Sequence, residues 1–71
     1  MPPADLITVE QPKHPLYALT TFELRGYRHQ LERAIAFSDE KDPVPPARAG
    51  LQARLDAVLA EQDERARLAH A

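Results

Sequence analysis

Three histidines, one serine and two pairs of adjacent carboxylates are the side chains of this sequence best suited to chemistry. Spacing limits what each can do. His14, His29 and His70 stand apart, and no two are placed as paired ligands on one helix. His29 and Glu32 are three residues apart. Di-iron bundles use the opposite order, Glu before His, with further inward glutamates. Here both residues belong to a solvated polar face, so no metal ligands are expected. Ser38, the sole serine, is followed by Asp39 and Glu40 rather than by a base that could activate it. Asp39-Glu40 and Asp63-Glu64 are neighbours in exposed settings, with no cleft implied. Cysteine is absent and glycine occurs twice, which removes thiolate chemistry, disulfides and a phosphate-cradling loop. The expectation is a non-enzyme with no catalytic residues, no metal and no cofactor.

Arg25, Arg28 and Arg33, with His29 among them, form the one cationic cluster. They could contact phosphates. Glu23 and Glu32 dilute the cluster, and the whole chain carries a net charge of −2, where nucleic-acid footprints carry a basic excess. A small nucleic-acid-associated regulator using these arginines is therefore the alternative reading, and a nucleic-acid partner is not the expectation.

The elements that would position these residues follow from pattern. At 71 residues the chain is one small domain, 44% hydrophobic, with twelve alanines and only four aromatic rings. The abundance of alanine and of arginine over lysine suits a GC-rich genome. Residues 1–19 contain Pro2, Pro3, Pro12 and Pro15, which forbid a helix and predict an extended N-terminal arm. Leu6-Ile7-Thr8-Val9-Glu10 is a short β-branched run within it, and such a strand is ordered only if it pairs or packs. Thr20 and Glu23 have the spacing of a capping box, with Leu19 and Leu24 placed as a hydrophobic staple. A helix is predicted over about 20–38, with Leu24, Tyr27, Leu31, Ala34 and Ile35 on one stripe. Pro43, Pro45 and Pro46 mark a turn over 39–46. A second helix is predicted over about 46–69. Its stripe is Leu51, Leu55, Val58, Leu59, Gln62, Ala66 and Ala69, reinforced by Glu61–Arg65 and Asp63–Arg67 pairs four apart.

A short turn makes the helices antiparallel. In that register Ile35 faces Leu51, Leu31 faces Leu55, Tyr27 faces Val58, and Leu24 reaches Gln62. The fold class is therefore all-α: a two-helix hairpin over 20–71 with an N-terminal arm. One seam of about ten buried side chains, several of them alanine, barely offsets the entropy of ordering two helices. A second copy would complete a four-helix bundle by homodimerisation, and another protein would serve equally well. Leu24, Tyr27, Leu31, Ile35, Leu51, Leu55, Val58 and Leu59 are the predicted association seam. Phe22, Gly26 and Phe37 lie roughly opposite it. They form either a partner-binding patch or a pair of end caps covered by the arm and the turn. Tyr17 and Tyr27 are expected to pack with their hydroxyls at the rim.

The predicted role is a small non-catalytic interaction module: an adaptor, a regulator, or a small subunit of a complex, including an accessory subunit of an enzyme on another chain. The expected partner is protein, self or other, with a homo-oligomer favoured. No apolar run approaches the roughly 18 residues of a membrane span, and no secretory leader pattern is visible. No membrane partner is expected, and the expected location is the cytoplasm.

Overall fold

The computed structural model describes residues 9–70. Two helices pack against each other, α1 (Thr21–Asp39) and α2 (Ala47–Ala69), and no strand occurs among the described residues. Most of the β-branched run at 6–10 lies outside them. Val9 and Glu10 are inside and belong to no regular element.

α1 begins where the capping box predicts. The Glu23 amide donates to Thr20 Oγ1 at 3.0 Å, and the Thr20 amide donates to Glu23 Oε1 at 2.9 Å. Two amides that have no partner inside the helix are satisfied reciprocally. Leu19 and Leu24 are both buried and share one core cluster, as a staple requires. The apolar stripe then turns inward: Leu24, Tyr27, Leu31, Ala34 and Ile35 are all buried. Ser38 ends the stripe with no exposed surface, and its hydroxyl donates to the Ala34 carbonyl at 2.9 Å. This bond meets the need that burial imposes on a polar group.

The proline-rich turn contains a cis Asp42–Pro43 peptide and is closed by Arg48, whose Nε donates to Asp39 Oδ1 at 2.6 Å. α2 starts after Pro46, which makes no side-chain cap. It buries Leu51, Leu55 and Val58 toward α1. Cross-helix bonds join Asp39 to Arg48, Tyr27 to Arg54 and Arg28 to Gln62. The end of α1 thus meets the start of α2, and the first half of α1 meets positions further along α2, so the hairpin is antiparallel and near the predicted register. Gln62 is met by Arg28, one turn along from Leu24.

The third component is the segment before α1. It is not extended throughout, because Leu16–Ala18 forms a 3-10 turn after Pro15. The Ala18 amide donates to the Pro15 carbonyl at 2.9 Å and the Leu19 amide to the Leu16 carbonyl at 3.1 Å. Proline pre-sets the dihedral that such a turn needs at its start. Val9 and Leu19 are buried, and Leu16 packs against the same cluster. The described chain measures 45 × 21 × 14 Å, so in its thin direction it is one layer of helices with a partial lid. No helix among the described residues is long and apolar enough to cross a membrane.

Candidate functional site

The residues with chemistry do not converge. His14 and His29 are exposed, as are Asp63, Glu64 and His70 at the far end of α2. Among the described residues no group of three histidines or carboxylates is gathered as metal ligands would be. Ser38 is sealed in the core and donates to main chain. Glu32 accepts from Arg28 Nε at 3.2 Å, four residues away on the same helix. Arg28 also donates to Gln62, so its charge is spent on holding the helices together. Of the three candidate phosphate contacts, Arg25 and Arg33 remain on the exposed surface of α1 and Arg28 is half-buried in this network.

The predicted association seam is found mostly within one chain. Leu24, Tyr27, Leu31, Ile35, Leu51, Leu55 and Val58 are buried without any second copy, while Leu59 is 36% exposed. The segment over residues 9–19 supplies part of that cover. It is held by two arginines of α2. Arg54 donates from Nε to the Tyr27 hydroxyl at 2.8 Å and from Nη2 to the Val9 carbonyl at 2.8 Å. Its guanidinium also lies 5.4 Å from the Tyr27 ring centroid. Arg65 donates from Nη2 to the carbonyls of Leu19 at 2.7 Å and Leu16 at 3.1 Å, while its Nε holds Glu61 at 2.9 Å. The Glu61–Arg65 pair is the predicted one. Arg67 pairs with Glu64 rather than with Asp63. The predicted rim position holds for the Tyr27 hydroxyl, but Tyr17 is 77% exposed, outside the packing expected of it.

No protein-family model, curated protein or solved structure matches this chain.

What remains is the outer face of α1. Phe22 is 81% exposed, so the arm does not cover it. Phe22 and Gly26 line one open groove of about 440 Å³, together with Glu10, Gln11, Pro12 and Lys13 on the arm side and Gln30 on the helix. Nothing lies within 4 Å of the position a Gly26 side chain would take. Glycine inside a helix costs about 1 kcal/mol relative to alanine, and here no neighbour in the chain requires it. Phe37, the third member of the predicted patch, is separate. It sits half-buried at the other end of α1, with the Lys41 ammonium 4.3 Å from its ring centroid. The turn therefore covers Phe37, as one of the two sequence readings expects, and leaves Phe22 and Gly26 as the exposed pair.

The capping box borders this groove. The Thr20 amide bond holds the Glu23 carboxyl below its ordinary pKa, with smaller contributions from the Thr20 hydroxyl and from the charge of His14. Glu23 therefore stays ionised at the groove's edge. A negative charge here also suits the positive end of the α1 dipole.

The arginine straps carried no visible signal in the sequence. Their acceptors are main-chain oxygens, which leave no trace in residue type. Only the placement of Arg54 and Arg65 beside the α2 stripe, rather than opposite it, hints at them.

Proposed function

We propose that this chain is a small non-catalytic protein-interaction module that works by helix–helix packing, with a second copy of itself as partner. In this role it serves as an adaptor, a regulator or a small subunit of a complex. Two hairpins that meet through α1 bring four helices together in a row, α2–α1–α1–α2, and a homodimer is a common way for short hairpins to gain buried surface. A cysteine-free sequence suits the reducing cytoplasm, where we place it.

One observation carries the reading. Phe22 stands 81% exposed beside Gly26, in a chain that already buries most of its own stripe. The fold uses neither residue at this face. An aromatic ring beside a bare stretch of helix backbone offers a partner both buried area and close approach. The seam side chains hold one hairpin together, so contact with the second copy falls to the outer face of α1.

Sedimentation equilibrium at micromolar concentration tests the proposal. A dimer that dissociates on dilution is the expected result. A folded monomer at every concentration overturns it.

A further inference from the structure

Building on the self-association reading, we infer that two copies of α1 cross antiparallel with Gly26 against Gly26, and that Phe22 of each packs on Gln30 of the other while Glu23 meets His29. At 3.6 residues per turn, Phe22, Gly26, His29 and Arg33 fall within a sector of about 60° on α1. Glu23 and Gln30 flank that sector on the arm side. Phe22, Gly26, His29 and Arg33 are all exposed, and Gly26 has open space above it.

A two-fold axis perpendicular to the helices at Gly26 sets residues before it opposite residues equally far after it. An isologous contact works only if the face is complementary to itself in that arrangement. This face is. Phe22, four residues before Gly26, meets Gln30 of the second copy, four residues after it, whose aliphatic stem can lie across the ring. Glu23, three residues before, meets His29 of the second copy, three residues after, on the other flank. Among the described residues the capping box occupies only Oε1 of Glu23, and a ring N–H of His29 can donate to Oε2. The groove of about 440 Å³ beside Glu23 and Gln30 gives these side chains room. The two-fold places the Arg25 side chains of the two copies to the side of the crossing and not facing each other, and Arg33 lies two turns beyond Gly26, so its counterpart in the second copy is far along the opposite direction. No like charges are opposed near the centre. Glycine at the crossing lets the backbones approach closely, which explains a residue that nothing within the chain requires.

The absence of cysteine makes the test direct. Gly26→Cys gives each copy a single thiol at the crossing. Gly50→Cys is the control, since Gly50 is also helical with nothing within 4 Å of an added side chain. At micromolar chain, oxidation of Gly26→Cys should yield disulfide dimer on the order of 100-fold faster than Gly50→Cys, because association raises the local thiol concentration toward millimolar. Phe22→Ser should lower self-association with helix content unchanged by circular dichroism. If the parent chain sediments as a dimer but both cysteine variants cross-link at the same rate, the crossing is wrong and the dimer stands. If the parent chain is a monomer, both readings fall.

Discussion

Arg65, in the second-last turn of α2, donates to the carbonyl oxygen of Leu19 at 2.7 Å across 46 positions of sequence. With Arg54 on the Val9 carbonyl, it straps the segment before α1 onto the hairpin. Both straps end on main-chain oxygens. They fix where the backbone runs and are indifferent to the side chains it carries. Leu16, Leu19 and Val9 then pack on the core because the backbone is held there.

Arg65→Ala should therefore release the segment. Hydrogen bonds from a charged donor contribute roughly 1.5–3 kcal/mol, and Arg65 is partly screened, so a loss of about 2 kcal/mol is expected. Arg65→Lys should recover less than half of it, since one ammonium cannot hold Glu61 and two carbonyls in a planar fork. The urea midpoint reads the stability. Tryptic cleavage after exposed Lys13 reads the release, and should quicken in the alanine variant. An unchanged midpoint with unchanged cleavage would show that the strap contributes nothing.

Tyr27 tests the other strap. Its ring is buried, and its hydroxyl accepts from Arg54 Nε at 2.8 Å. Tyr27→Phe keeps the packing and removes the acceptor, so a loss of about 1 kcal/mol is expected, with helix content preserved. Adding Arg54→Ala to Tyr27→Phe should cost less than the sum of the two single changes, because they share one interaction. Strict additivity in that cycle would separate Tyr27 from Arg54 energetically.

How much of this was legible beforehand depends on whether side-chain pattern or main-chain geometry does the work. The start of α1 was readable because Thr20 and Glu23 announce a reciprocal pair of side-chain bonds. Its inward face was readable because Leu24, Leu31 and Ile35 recur at helical steps. The antiparallel register followed from the brevity of the turn. The path of residues 9–19 was not readable, since the arginines that set it bind carbonyls that every residue possesses. The exposure of Phe22 depended on that path. A lid passing over the start of α1 would have buried the ring. The lid instead runs along the other flank, over Tyr27.

The predicted seam divides in two by exposure, and truncation should show it. Leu31 has no exposed surface, while Leu59 is 36% exposed. Leu31→Ala removes packed methyl groups from the centre of a layer with little capacity to collapse, at an expected cost of roughly 3 kcal/mol. Leu59→Ala should cost about 1 kcal/mol or less in the dissociated chain. Thermal unfolding at low concentration compares them. Equal costs would mean that Leu59 is as enclosed as Leu31, contrary to its exposure.

The capping box also predicts how stability responds to acid. The Thr20 amide bond, chiefly, holds the Glu23 pKa below its ordinary value in the folded chain. In the unfolded chain that bond is gone and the carboxyl returns to its ordinary range. The unfolded state therefore binds this proton more readily as pH falls. The contribution of Glu23 is complete above the unfolded pKa and disappears as pH drops through the folded one. Many other carboxylates titrate in the same window, so the comparison must be made against Glu23→Gln, which keeps the length of the side chain and its carbonyl acceptor without the charge. At neutral pH the parent chain should have the higher urea midpoint, and the gap should close progressively below the ordinary glutamate range. A gap that is constant with pH would mean that the ionised carboxylate gains nothing from Thr20. A gap that widens in acid would reverse the sign of the linkage.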